Sequence, residues 1–241
     1  MDTINLIVPT CWQELTPKQL RYVYFLLSEG YDPVTVKTYC LCRWSGLEII
    51  EPYGDGYTVR FAYNLHHITA SQVAALIRHL DWLEQLPTVP IRLTEIGGHK
   101  AAPYDLAGVE FQNYLYCDNL YQGYLHTQNT DLLQEMASIL YDAEGLVCSP
   151  EERISIFYWF ASVKAYFARK FTHFFTSGRT SEVGDIQAQL TEQTNSQIRA
   201  LTKGDITKEK EVLTMDVWRA LTELDAQAAD YEDMQRQMKN V

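Results

Sequence analysis

The sequence predicts a mainly α fold with a small β-hairpin element: a compact aromatic-rich helical body followed by a C-terminal helical hairpin or coiled-coil extension. Three observations predict it. Helix-start signals recur along the chain, each ahead of apolar residues spaced three and four apart. One stretch, around Gly54-Asp55-Gly56, joins two β-prone runs through a turn rich in glycine. Composition also breaks near residue 177. Trp, Tyr and Phe total 30, and 28 of them precede Ser181, leaving only Trp218 and Tyr231 beyond it. The expected organisation is a body over 1–176, a linker over 177–184 and an extension over 185–241.

Asn5 to Val8 is a short strand candidate. Thr16-Pro17 opens a helix, with Thr as N-cap and Pro in the first turn. Leu20, Val23, Tyr24 and Leu27 form its apolar face, and Gly30 ends it. Asp32-Pro33 repeats the signal for a second helix that stops at Ser45-Gly46. Leu47 to Pro52 and Tyr57 to Tyr63 are strands joined at Gly54-Asp55-Gly56. Thr69 with Gln72 makes a capping box. Val73, Leu76, Ile77, Leu80 and Leu83 then give a buried helical stripe that Pro87 and Pro90 stop. Ile91 to Leu93 is one more short strand candidate, and Gly97-Gly98 to Pro103 is a loop.

A Tyr-rich helix is expected from about Leu106 to His126, and another from Asn129 or Thr130 to Tyr141. Ser149-Pro150-Glu151-Glu152 starts a helix with two acids at the positive end of its dipole. It is expected to reach Phe175 and to form the centre of the core, with Ile156, Phe160, Val163, Phe167, Phe171 and Phe174 on one side. After the linker, Ile186, Leu190, Ile198 and Leu201 mark a polar helix that Lys203-Gly204-Asp205 breaks. The last helix is placed from near Thr207. No repeat of sequence is visible.

Charge and composition narrow the function classes. Net charge is −11 with a pI near 5.0, and such a surface repels phosphate backbones, so nucleic acid is not the expected partner. A regulatory or DNA-associated protein would need a local basic face that the sequence does not display. The strongest apolar run, Ile154 to Val163, is half the length of a membrane span. The N-terminal residues lack the pattern of a signal peptide. The expectation is a cytoplasmic chain with no membrane association. Cys11, Cys40, Cys42, Cys117 and Cys148 are odd in number and lack a CxxC spacing, which reads as reduced thiols in a packed core.

Chemistry-bearing motifs are few. His66, His67 and His79 lack the spacing of a zinc site, so no metal is expected. Neither glycine pair matches a phosphate-binding loop, so no cofactor is expected. Tyr114, Tyr116, Tyr121 and Tyr124 surround one helix, and a single core cannot bury tyrosines at all those angles. Either some of them reach an interface or the helix is sandwiched in the body. Arg169, Lys170, His173 and Arg179 follow the long aromatic helix, where the dipole favours cations.

The sharpest signal is the C-terminal seam. Val217, Leu221, Leu224, Ala228, Tyr231 and Met238 follow a 4-3-4-3 spacing, with Gln235 as the one miss and Trp218 beside the seam. A polar helix with so narrow a stripe must pack on something: the preceding helix, the body, another copy or a different protein. Val217, Trp218, Leu221, Leu224, Ala228 and Tyr231 are therefore the candidate partner-binding residues. Replacing both Leu221 and Leu224 by Asp is expected to abolish association while leaving the body folded.

LTPKQLRYVYFLLSEG near the start and QIRALTKGDITKEKEVLTMDVWRALTELDAQ near the end resemble segments of small prophage-encoded proteins that sit among tail genes. The resemblance spans about a fifth of the chain and implies a non-enzymatic component of tail assembly. Such a component is either a chaperone that holds the tape-measure protein or a minor structural part. The expected function is a phage or prophage tail assembly or structural protein that acts by helix-mediated binding to a tape-measure or other tail protein, or by self-association. The alternative is a cytosolic enzyme of unrecognised class with a site in the aromatic body.

Overall fold

The structure, a computed structural model, describes residues 6–177 and 186–239, so most of the expected linker lies outside the described residues. The fold is mainly α with a small β element, as the sequence predicts. The chain divides into two compact units, Met1–Pro87 with Cys148–Tyr158, and Thr88–Val147 with Trp159–Val241.

The first unit opens with a 3-10 turn, Trp12–Glu14, and two helices, α1 (Pro17–Ser28) and α2 (Pro33–Ser45). Both start as their capping residues dictate. Thr16 and Gln19 exchange the reciprocal bonds of a capping box, and one carboxylate oxygen of Asp32 accepts from the amides of Val34 and Thr35. α1 buries Leu20, Val23, Tyr24 and Leu26, and Leu27 is half-buried. α2 ends on Gly46 in the left-handed region.

Strands β1 (Glu48–Tyr53), β2 (Gly56–Phe61) and β3 (Asn64–Thr69) form one antiparallel sheet in that order. The expected hairpin is β1–β2; β3 adds to it. Its turn, Ala62-Tyr63, takes φ 46° and 70° without the glycine or asparagine that normally announces such a turn, which hid the strand in the sequence. Gly56 has a strict requirement: a Cβ there would lie 2.0 Å from the Ile68 carbonyl oxygen. Leu47, Val59 and Ile68 form the buried face.

Helix α3 (Ala70–Arg78) keeps the Thr69–Gln72 capping box but ends before Pro87. A 3-10 turn, Asp81–Glu84, follows, and of the expected stripe only Leu80 is fully buried. The tighter turn places residues three apart on one side, so Asp81 and Glu84 both receive the buried Lys37 ammonium, at 2.6 and 2.5 Å. Leu6–Val8 is irregular rather than a strand, and Asn5 lies outside the described residues.

In the second unit, Ile91–Leu93 is not a strand; the Leu93 carbonyl instead accepts the Tyr141 hydroxyl at 2.6 Å. The short strands are β4 (Glu95–Ile96) and β5 (His99–Lys100), paired across Gly97-Gly98 at φ 58° and 83°. The expected loop is therefore a minimal hairpin. The Tyr-rich helix α4 (Phe111–Thr127) starts after Leu106 rather than at it, because Leu106 is buried in the left-handed region at φ 61°. Tyr114, Tyr121 and Tyr124 are buried, while Tyr116 reaches the surface and donates to Glu135.

α5 (Asp131–Leu140) packs on α4. The long helix α6 (Pro150–Lys170) gives residues 150–158 to the first unit and 159–170 to the second. It ends at Lys170, and α7 (Thr172–Ser177) continues after a bend at Phe171. Ile156, Phe160, Val163, Phe167 and Phe171 are buried, and Phe174 is half-buried. α8 (Ile186–Thr202) closes at Lys203-Gly204, both at positive φ.

The last helix does not start near Thr207. A 3-10 turn (Ile206–Lys208) and α9 (Glu209–Leu213) come first, and α10 (Val217–Lys239) begins after a break at Thr214–Asp216. The break exists because residues 109–111 and 215–217 form a short antiparallel bridge. Phe111 N donates to Met215 O at 2.7 Å and Val217 N to Val109 O at 2.9 Å.

Candidate functional site

The seam residues are split by burial. Asp216 caps α10 from outside the helix: Oδ1 accepts from the amides of Trp218 and Arg219 at 2.9 and 3.2 Å, and Oδ2 accepts from Gly108 N at 2.6 Å. Val217, Leu221 and Leu224, with Ala220, are then buried in the second unit. Trp218 is half-buried, donates from Nε1 to the Asp105 carbonyl at 2.9 Å, and meets Tyr166, Phe167 and Phe171 edge-on.

Three of the expected partner anchors, Val217, Leu221 and Leu224, are core positions with Trp218 packed beside them, and the last helix belongs to the same compact unit as 88–147. The composition predicts an extension outside the body whose stripe must pack on something. The stripe is narrow, but α7 covers it: Asp225 Oδ1 accepts from Phe174 N at 2.9 Å, and His173 Nδ1 lies 3.1 Å from Glu232. Of the predicted residues, Ala228 and Tyr231 remain accessible, with Tyr231 59% exposed.

Those two residues sit at a groove of about 680 Å³ between α6–α7, α8 and α10. Its floor is made of small side chains from three helices: Ala165 and Ala168 on α6, Ala200 on α8 and Ala228 on α10. Helical spacing puts Ala165 and Ala168 on one side of α6, and Ser196 and Ala200 on one side of α8. Phe174 and Phe175 form a wall. At the inner end Lys164 donates to Asp118, and its ammonium also lies 5.7 Å from the Tyr121 ring centre. Burial pushes the Tyr114 hydroxyl well above its usual range and raises that of Tyr121. The Gln197 amide oxygen is buried and finds no donor among the described residues.

A second cavity, about 370 Å³, lies in the first unit beside Lys37, among Leu27, Tyr31, Val36, Leu86 and Tyr158. Desolvation pulls the Lys37 ammonium down, but its hydrogen bonds to Asp81 and Glu84, with their charges, outweigh it and leave it raised. The cation is thus committed to holding the 3-10 turn on α2.

The cysteines form no disulfide. Burial pushes the Cys40 thiol up to about 12 and, first among several causes, Cys148 up to about 11, which keeps both protonated and weakly nucleophilic. His67 faces Asp55 at 3.6 Å and meets the Tyr53 ring edge-on. Among the described residues no three metal-ligating side chains gather, and no helix is long and apolar enough to cross a membrane.

The groove floor was not legible in the sequence, because alanines carry no periodic apolar signal. Ala228 alone belonged to the predicted seam. In comparisons with known proteins, no family model, no curated protein and no solved structure matches the chain.

Proposed function

We propose that this chain is a non-enzymatic assembly or interaction protein, of the kind encoded among phage and prophage tail genes, that docks a helical segment of a protein partner. The observation that carries the reading is the groove of the second unit. Its floor is alanine on three separate helices, which lets a further backbone approach closely. Interaxial distances in helix packing fall to roughly 8 Å when contact residues are small. The accessible row Tyr231, Met234 and Met238 prolongs the same side of α10, and methionine adapts its shape to a partner. The ion pair at the inner end, Lys164 with Asp118, is self-neutralised.

The resemblance of both ends of the chain to prophage tail-module proteins supports this reading. A tape-measure chain is long and helical, so a groove that accepts a helix suits a chaperone that holds one in the host cytoplasm.

Gln193 on α8 is exposed, lines the groove outside its alanine floor and tolerates a probe. A photo-crosslinking residue at Gln193 in the native host should give one discrete adduct with a protein, and the same residue at exposed Thr127 on α4 should give none. Equal adducts from both positions, or none from Gln193, would overturn the proposal.

A further inference from the structure

Resting on the reading of the groove as a helix-docking site, we infer that in the free protein it takes the distal half of α10 from a second copy of this chain. The chain carries both sides of such a contact and leaves both accessible. The hole is the alanine floor, Ala165, Ala168, Ala200 and Ala228. The ridge is Tyr231, Met234 and Met238, all exposed. Hole and ridge share one face of α10. That helix lines the groove with Leu224, Gln227, Ala228 and Tyr231. One heptad further on, the same positions hold Tyr231, Met234, Gln235 and Met238.

Charge selects the same occupant. Apart from Lys164 and Asp118, which neutralise each other, every residue of the lining is uncharged. A helix that laid a lysine or a glutamate on it would bury that charge without a partner. The ridge brings in none, because its face is Tyr, Met, Gln and Met. The buried Gln197 amide oxygen, which finds no donor among the described residues, needs a neutral N–H or O–H. The Gln235 amide gives one N–H to the Tyr231 hydroxyl and carries a second.

Size sets the direction. A closed pair of identical chains has a twofold axis, so each contact occurs twice with the roles exchanged. With the two α10 helices parallel, Ala228 would meet Ala228 and Met238 would meet Met238, small on small and large on large. In an antiparallel pair centred on Tyr231, Met234 of each copy lies over Ala228 of the other and Met238 over Leu224. Residues 228–239 supply about 18 Å of helix for each groove. The fifteen lining residues together with the ridge approach the roughly 20 residues a side of a standard stable interface.

Sedimentation velocity of the full chain at micromolar concentration should show a dimer. Each copy carries a net charge of −11, so salt should tighten the pair by screening that repulsion. Ala168→Trp fills the floor, and Met234→Asp with Met238→Asp charges the ridge. Each change should raise the dissociation constant at least about tenfold. All three positions are exposed, so both variants should melt like the parent, and a circular dichroism scan checks this. Should one variant melt early, the other carries the test. A photo-crosslinking residue at Gln193 in the purified chain should give an adduct of twice its mass.

A chain that stays monomeric at every salt concentration would overturn the inference. So would a dimer that survives both variants, because it would pair through another surface. In either case, a Gln193 adduct with a different protein in the native host leaves the groove-docking reading standing. Without that adduct both readings fall together.

Discussion

Along α10 the 4-3-4-3 spacing runs unbroken from Val217 to Tyr231, yet its two halves differ. Val217, Leu221 and Leu224 are buried, whereas Tyr231 is 59% and Met238 72% exposed. The cause is what lies opposite. The first turns are held by the chain near residues 105–111 and by Phe167 and Phe171, through Val217 N to Val109 O, Trp218 Nε1 to the Asp105 carbonyl and the Trp218 ring contacts. The bonds from α7 reach α10 at Asp225 and Glu232, and the helix continues to Lys239. Spacing therefore identifies a face, and the neighbour decides which part of that face becomes core. One pattern yields a folding element at one end and an accessible row at the other.

The largest break in this comparison comes from Leu221→Asp. A carboxylate at a fully buried site loses the leucine's packing and brings in an unpaired charge. That costs about 4 kcal/mol or more, a large part of a domain's stability. Urea unfolding followed by Trp fluorescence should show early loss of the second unit. A midpoint equal to the parent's would mean that the first half of α10 is not core.

Asp216→Ala should cost about 2 kcal/mol, because one side chain holds two amides of α10 and that of Gly108. The effect belongs to the buried half alone. Hydrogen exchange should therefore rise at Trp218 and Arg219 and stay unchanged beyond Ala228. Uniform fraying of all of α10 would merge the two halves into one cooperative unit.

Asp225→Ala lies at the boundary and removes one bond to Phe174 N, so about 1 kcal/mol is expected. The sharper readout is local: α7 should exchange faster while Leu221 stays protected. If Leu221 amide exchange rises equally, α7 is what holds the whole helix in place.

Capping chemistry made much of this fold legible. Thr16-Pro17, Asp32-Pro33 and Thr69 with Gln72 each mark a helix start where the structure has one, since these signals need only the few residues beside them. Elements fixed by distant partners were hidden. β3 depends on an Ala62-Tyr63 turn without a local signature, and the break before α10 depends on a bridge to residues near Val109. The groove was hidden for the same reason: Ala165, Ala168, Ala200 and Ala228 come from three helices separated along the chain. Residue 177 marks a true compositional change, but a polar helix buried along one stripe still belongs to a core.

The smallest effect tests the exposed half directly. Tyr231→Ser with Met238→Ser removes two apolar side chains that stand largely in solvent. The Gln235 to Tyr231 hydroxyl bond at 2.9 Å is lost with them, but it joins exposed groups on one helix turn and contributes little. Surface changes of this kind fall within about 0.5 kcal/mol, so the melting curve should overlay the parent's. The Gln193 crosslink should nevertheless weaken, because Tyr231 lines the groove and Met238 lies further along the same side. A large drop in stability with unchanged crosslinking would reverse the assignment. The distal seam would then be structural, and its exposure would not serve binding.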